Sequence, residues 1–136
     1  MTRPQSMTRP QRRHPRFLWG IAGVMLLAGS VAEMAFHGGA AIWAGLLGLI
    51  GSDLAFLVGI GQQNEPGLLP TRAAPAYNLV HRLSLPVIML AAVIVNGQFG
   101  GQVAPYVAAS LGWLAHIALD RALGFRLRAA DGSIRP

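Results

Sequence analysis

The amino-acid sequence predicts an all-α fold, a bundle of four transmembrane helices joined by short outer turns. Hydrophobic residues make up 53% of the 136 residues, and only 12% are charged, whereas about 25% of residues are charged in soluble domains. Polar side chains are therefore too few to cover a water-soluble globule of this size. The chain also contains four apolar stretches of about 20 residues, the length that crosses a bilayer as a helix.

Each of the four stretches is expected to form one membrane-crossing helix. The first contains Glu33 as its only charged residue and the second contains Asp53, while the third and fourth have ionisable residues toward one end. Lipid offers no hydrogen-bond partner to a free backbone, and the alternation that would predict strands is missing. Pro86 is expected to kink the third helix. In chain order, the predicted helices cover residues 17–36, 40–60, 76–96 and 103–125.

Two tails flank the predicted membrane domain, which comprises residues 17–128. Residues 1–16 form a basic tail that begins with a direct repeat of Met-Thr-Arg-Pro-Gln, so the tail is expected to be disordered and Met7 is an alternative start. Residues 129–136 form a carboxyl-terminal tail. A cleavable signal peptide is the alternative for the first helix, but its apolar run exceeds the roughly 7 to 15 residues usual in such peptides, which favours an anchor.

Arginine placement predicts the direction of the helices. All eleven basic residues are arginine. They occur in residues 1–16, at Arg72 in the 61–75 loop, at Arg82 and from Arg121 onward, but not in the turns at 37–39 and 97–102. Because basic residues favour the cytoplasmic side, both termini are expected in the cytoplasm, an N-in and C-in arrangement.

Composition also restricts the partners. The net charge of +6 does not predict nucleic-acid binding, since the arginines flank apolar runs and form no basic folded face with interleaved aromatic residues. Membrane lipids are the expected partners, and assembly into a homo-oligomer is left open. The chain has no cysteine, which excludes disulfide bonds, thiolate metal ligands and cysteine nucleophiles.

Polar residues on three helices are expected to meet in one layer near the cytoplasmic face. At about 1.5 Å per residue, the aspartates and histidines lie roughly 8 to 14 Å from the cytoplasmic end of their helices. Ionisable groups at that depth are unfavourable and mark functional sites. Stripes of small residues, among them Gly48 and Ala109, would let the helices approach closely around the layer. The predicted layer contains Asp53, Asn78, His81, Arg82, His116, Asp120 and Arg121.

Three interpretations of this layer remain open. In a structural network, the two aspartates pair with Arg82 and Arg121, while the histidines and Asn78 form hydrogen bonds within the bundle. In a metal site, two imidazoles and two carboxylates bind a divalent ion such as zinc, iron or manganese. In a transport pathway, the same groups pass protons or ions. The candidate metal ligands are Asp53, His81, His116 and Asp120.

Three motifs resemble those of the small bacterial membrane proteins grouped as domain of unknown function 4260. The motifs are Gly51–Leu54, Tyr77–His81 followed by Leu85-Pro86, and Trp113–Phe125. The resemblance implies a four-helix, multi-pass protein of the bacterial inner membrane, without an established activity. The order Asp, His and His-x-x-x-Asp is also similar to that of membrane-bound metal-dependent hydrolases.

The expected function is that of an integral inner-membrane protein with a buried Asp/His/Asn/Arg layer. One alternative is a metal-dependent hydrolase acting on a lipid or on another membrane-confined substrate, and another is a small ion or solute transporter that works as an oligomer. The sequence shows no nucleophile beside a base and no glycine-rich phosphate loop. An enzyme of this kind would therefore use metal-activated water, and the 61–75 loop would cover a cytoplasmic entrance.

Overall fold

The structure, a computed structural model, describes residues 16–135 and confirms the all-α prediction. No β-strand occurs within these residues, and an isolated bridge pairs Arg128 with Ile134. The predicted disordered tail, with its repeat and Met7, lies outside the described residues, apart from Arg16. In chain order, the helices are α1 (Arg16–His37), α2 (Gly39–Ile50), a 3₁₀ helix (Gly51–Gly59), α3 (Ala73–Val80), α4 (Ser84–Gly97) and α5 (Ala104–Leu123).

Three helical stretches are long and apolar enough to cross a membrane, namely Arg16–His37, Gly39–Gly59 and Ala73–Gly97. Large apolar side chains on each of them are exposed, including Phe17 and Trp43. A water-soluble protein would bury such surface, so these stretches indicate a membrane protein in contact with lipid. The helix α5 is less apolar because it contains the ionisable residues of the candidate site.

The helix α5 lies at the centre of the bundle, where it packs against α1, α2 and α4. Small residues allow the backbones of these helices to come close together. A Cβ atom added at Gly48 would overlap backbone atoms of Ala109, and one added at Gly112 would lie 2.8 Å from the Gly45 oxygen. The predicted close approach of small-residue stripes is therefore confirmed for the second and fourth stretches.

The prediction of one continuous α-helix for the second stretch is wrong. The helix α2 continues into a 3₁₀ helix of nine residues. Such long 3₁₀ segments are uncommon. The buried residues of the segment are Ser52, Ala55 and Gly59, and Ala55 shares a core cluster with α3. Packing against α3 thus accompanies the tighter winding, and Asp53 lies in the first turn of the segment.

The third stretch is interrupted rather than kinked at Pro86. The helix α3 ends at Val80 and α4 begins at Ser84. Proline lacks an N–H group and its ring clashes with the carbonyl four residues earlier, but it is tolerated in the first turn of a helix. Placing Pro86 in the first turn of α4 moves the break to residues 81–83, so His81 lies at the end of α3.

Residues 127–135, here named the carboxyl-terminal turn, fold back on themselves and onto the preceding loop. The Ala129 N–H donates to the Ser133 oxygen at 2.8 Å, and the Leu69 N–H donates to the Gly132 oxygen at 3.1 Å. This turn therefore closes one end of the bundle beside α3.

Candidate metal centre

Three elements bring the candidate ligands together. Asp53 lies in the first turn of the 3₁₀ helix and His81 at the carboxyl end of α3. On α5, His116 and Asp120 lie one helical turn apart and therefore on the same face. Asp53, His81 and His116 each offer a ligand atom within 4.8 Å of the other two.

The ligand atoms surround the Nε2 atom of His116. The Nε2 atoms of His81 and His116 lie 3.2 Å apart, and Asp53 Oδ1 lies 3.4 Å from His116 Nε2. Asp120 Oδ2 lies 3.3 Å from His81 Nε2 and 3.7 Å from His116 Nε2. Ligands of a tetrahedral zinc ion at about 2.0 to 2.1 Å are separated by about 3.3 to 3.4 Å. The spacing of Asp53, His81 and His116 therefore fits one small cation held between them, whereas Asp120 is not part of this three-residue group.

His81 is oriented by Tyr77. Its Nδ1 atom lies 2.9 Å from the Tyr77 backbone oxygen, and because a carbonyl only accepts hydrogen bonds, the proton is assigned to Nδ1. The Nε2 lone pair then points to the other ligands, an arrangement usual for metal-binding histidines. The Tyr77 ring stacks on the imidazole at 3.8 Å, and its hydroxyl lies 3.5 Å from Asp120 Oδ2.

Burial decreases from one side of the site to the other. The side chain of His81 is 3% exposed, that of His116 13% and that of Asp120 20%. The side chain of Asp53, in contrast, is 52% exposed. The site is therefore closed by protein around His81 and open beside Asp53.

The expected pairing of the two aspartates with Arg82 and Arg121 is wrong. Within residues 16–135 no arginine lies at ion-pair distance from either carboxylate, and the partners of both are histidines. Arg82 lies just beyond the end of α3 and is exposed. Arg121 donates instead to the His81 backbone oxygen at 3.5 Å.

Asn78 also lies outside the ligand set, although it is close to it in sequence. Its side-chain nitrogen donates to the Arg128 backbone oxygen at 2.9 Å, and its oxygen accepts from the Arg128 N–H at 2.7 Å. Asn78 thus attaches the carboxyl-terminal turn to α3.

Sequence reasoning missed three residues that support the site. Tyr77 orients His81, and the guanidinium of the buried Arg128 lies 5.8 Å from the Tyr77 ring centre. Trp113 Nε1 donates at 2.7 Å to the Val80 oxygen, which the end of α3 leaves free. The i,i+4 spacing of Tyr77 and His81 was the one available signal for this group, whereas the contacts of Trp113 and Arg128 join distant parts of the chain.

Comparison with known proteins gives one match. No curated protein and no solved structure matches the chain. The model of the family described as Domain of unknown function (DUF4260) matches residues 18–134, which include every candidate ligand. The chain therefore belongs to the DUF4260 family.

Proposed function

We propose that this protein is an inner-membrane metalloprotein in which Asp53, His81, His116 and Asp120 bind one divalent transition metal. Four separations of 3.2–3.7 Å, each between a histidine Nε2 atom and another ligand atom, support the proposal. Two imidazoles and two carboxylates suit zinc, iron or manganese.

The direction in which His81 faces also supports a cation. Its Nδ1 atom is engaged with the Tyr77 backbone oxygen, so its Nε2 atom faces His116 Nε2 at 3.2 Å. Asp53 Oδ1 lies beside the same His116 atom. A divalent ion between these atoms would be bound by all three residues at once.

We expect protein purified in mild detergent to contain about one metal ion per chain, as a single four-ligand site requires. Substitution His116→Ala removes the central ligand and is expected to abolish the bound metal, measured by elemental analysis. His37→Ala is the matched control, because His37 contacts Glu33 in α1 and lies outside the site. This control is expected to keep the wild-type metal content.

The metal assignment would be disproved by the same metal content in His116→Ala as in the wild type. Far-ultraviolet circular dichroism of both variants checks that the bundle stays folded. A folded His116→Ala variant without metal, beside a folded His37→Ala variant with metal, supports the site as proposed.

Metal-dependent hydrolysis of a lipid or of another membrane-confined substrate is the second candidate, favoured by the half-exposed Asp53. In this candidate Asp53, His81 and His116, the three residues whose ligand atoms lie within 4.8 Å of one another, would hold the metal, which would supply an activated water molecule at its fourth position. Water would add to an acyl carbon or to phosphorus as the ester bond breaks, and its proton would go to the departing oxygen. Asp120, which in this candidate is not a ligand, is the carboxylate placed to hold that proton in between.

We further propose that α5 is the fourth span and that both termini face the cytoplasm. The membrane domain would comprise residues 17–128, with 1–16 and 129–136 as flanking segments. Arginine occurs in the 61–75 loop and beyond residue 120, but not in the turns at 37–39 and 97–102, which supports this direction.

Reporter fusions are expected to show this topology directly. A cytoplasm-active reporter after Pro136 should give signal, and the same reporter at Gly100 should be silent, because a turn without arginine is the segment expected outside. An export-dependent reporter should give the reverse at both points. Signal for the cytoplasm at Gly100 with silence after Pro136 would disprove the N-in, C-in arrangement.

A further inference from the structure

A cleft of about 500 Å³ lies between α3 and the carboxyl-terminal turn. Arg82, just beyond the end of α3, and Arg135, in the turn, both line it, and no acidic residue is among the lining residues. Within residues 16–135, neither arginine has a carboxylate at ion-pair distance. The cleft therefore presents two positive charges to which the described part of the chain supplies no negative partner.

Arg135 is held in place by the backbone of the same turn. Its Nε atom donates to the Arg128 backbone oxygen at 2.8 Å, and the Asn78 side chain donates to the same oxygen at 2.9 Å. The bond from Nε uses one of the five N–H donors of the guanidinium. The Nη groups of this exposed residue are therefore available to a ligand in the cleft.

The opposite side of the cleft combines a charge with apolar surface. Arg82 is exposed, and it belongs to the stretch Ala73–Gly97, which is long and apolar enough to cross a membrane. Leu79, three residues earlier, also lines the cleft and is 54% exposed. A ligand here would contact a guanidinium and an aliphatic side chain together, so it should have both an anionic and an apolar part.

The chemistry and size of the cleft select a phospholipid. Arginine binds phosphate oxygens through paired N–H donors, and basic pockets at the ends of membrane helices bind anionic lipid headgroups. A water molecule takes up about 30 Å³, so the cleft accommodates about 17 non-hydrogen atoms, enough for a phosphate with a glycerol unit on each side. A choline head would add a positive charge, which two arginines disfavour.

We propose that this cleft binds the headgroup of an anionic phospholipid such as phosphatidylglycerol. Arg82 and Arg135 donate to the phosphate oxygens, and Leu79 contacts the start of the acyl chains. A lipid bound in this way bridges the end of α3 and the carboxyl-terminal turn. The proposal does not rest on the metal centre, since none of the four candidate ligands lines the cleft.

Lipid selectivity is the first test. The full-length protein in dodecyl maltoside is titrated with dioleoyl phosphatidylglycerol or with dioleoyl phosphatidylcholine, and bound lipid is counted by native mass spectrometry. We expect saturable binding of phosphatidylglycerol and a dissociation constant about tenfold or more higher for phosphatidylcholine, because contacts between charged groups differ by that much. Equal affinity for the two lipids would overturn the proposal.

Substitution of single arginines locates the site. Arg82→Gln removes one guanidinium from the cleft, and the dissociation constant of phosphatidylglycerol is expected to rise about tenfold. Arg135→Gln is expected to raise it similarly. Arg126→Gln is the matched control, because it removes the same charge from a residue that does not line the cleft. Equal affinity in Arg82→Gln and Arg126→Gln would indicate general attraction between charges and overturn the site.

A competition experiment distinguishes the lipid from a free anion. Inorganic phosphate is added at the concentration of the bound phosphatidylglycerol, with the ionic strength held constant. The lipid is expected to stay bound, because inorganic phosphate has no apolar part to contact Leu79. Displacement of the lipid at that concentration would identify free phosphate as the ligand and overturn the assignment to a phospholipid.

A last measurement separates this site from the metal centre. The His116→Ala variant is expected to lose metal and to bind phosphatidylglycerol as the wild type does, since His116 does not line the cleft. Loss of lipid binding in that variant, with the fold intact, would overturn the independence of the lipid site. Absence of metal from the wild type with lipid binding retained would disprove the metal centre alone.

Discussion

Replacing Gly48 with alanine is expected to lower the free energy of unfolding by about 3 kcal/mol, because it inserts a methyl group between α2 and α5. The added Cβ atom would overlap the backbone oxygen and Cα atom of Ala109. Overpacking of a core usually costs about 1 to 3 kcal/mol, and backbone atoms cannot rotate away as a side chain can. Unfolding in detergent with increasing dodecyl sulfate, followed by circular dichroism, measures the change.

Gly20→Ala is the matched control for this prediction. A Cβ atom at Gly20 would lie 3.8 Å from the Cβ atom of Ala122, which is an ordinary contact between α1 and α5. Alanine also favours a helix over glycine by about 1 kcal/mol, so this variant is expected to be as stable as the wild type or more stable. Equal stability of the two variants would contradict the close packing at Gly48.

Replacing Gly132 with alanine is expected to open the carboxyl-terminal turn. The Gly132 backbone has a φ of 84°, in the region that disfavours residues with a Cβ atom, and an added Cβ atom would overlap the Leu69 oxygen. The two effects together are expected to destabilise the turn by about 3 kcal/mol or more. Trypsin cleavage after Arg128, which is 7% exposed in the closed turn, is the measurement.

Gly67→Ala controls for backbone strain alone. Gly67 has a φ of 87°, but nothing lies within 4 Å of its added Cβ atom. Cleavage after Arg128 is therefore expected to stay slow in Gly67→Ala and to become fast in Gly132→Ala. Equal cleavage rates in both variants would contradict the contact between the turn and Leu69.

The pKa of Asp131 gives a second readout of the same opening. Hydrogen bonds from Ser133 hold this pKa below its usual range, because they stabilise the ionised carboxylate. When the turn opens, the pKa of Asp131 is expected to rise to its ordinary value of about 3.9, measured by nuclear magnetic resonance titration. The closed turn is favoured above that value, and the contribution is lost as the pH falls through the lower, folded pKa.

The sequence predicts the helices and the similar depth of the polar residues within them because both depend on local patterns. Apolar length locates the helical stretches, and i,i+4 spacing places His116 and Asp120 on one face of α5. Stripes of small residues likewise predict faces at which helices come close. These features follow from residues a few positions apart, so they can be read without knowing the fold.

The details of the site could not be read from such patterns, because they depend on contacts between distant residues. The 3₁₀ winding around Asp53 accompanies packing against α3, and the bond between Asn78 and Arg128 joins residues 50 positions apart. The position of the break near His81 depends on where Pro86 falls within α4. Charge alone suggested arginine partners for the aspartates, whereas the geometry selected histidines.

The break at residues 81–83 divides the four candidate ligands between two helix contacts. The helix α3 packs against the 3₁₀ helix, while α4 packs against α5. Asp53 and His81 therefore lie at the first contact, and His116 and Asp120 lie on the helix of the second. An ion bound by all four would act as a cross-link between the two contacts, much as a disulfide joins distant segments of a secreted chain. In a protein without cysteine, the order of this end of the bundle would then depend on the supply of metal.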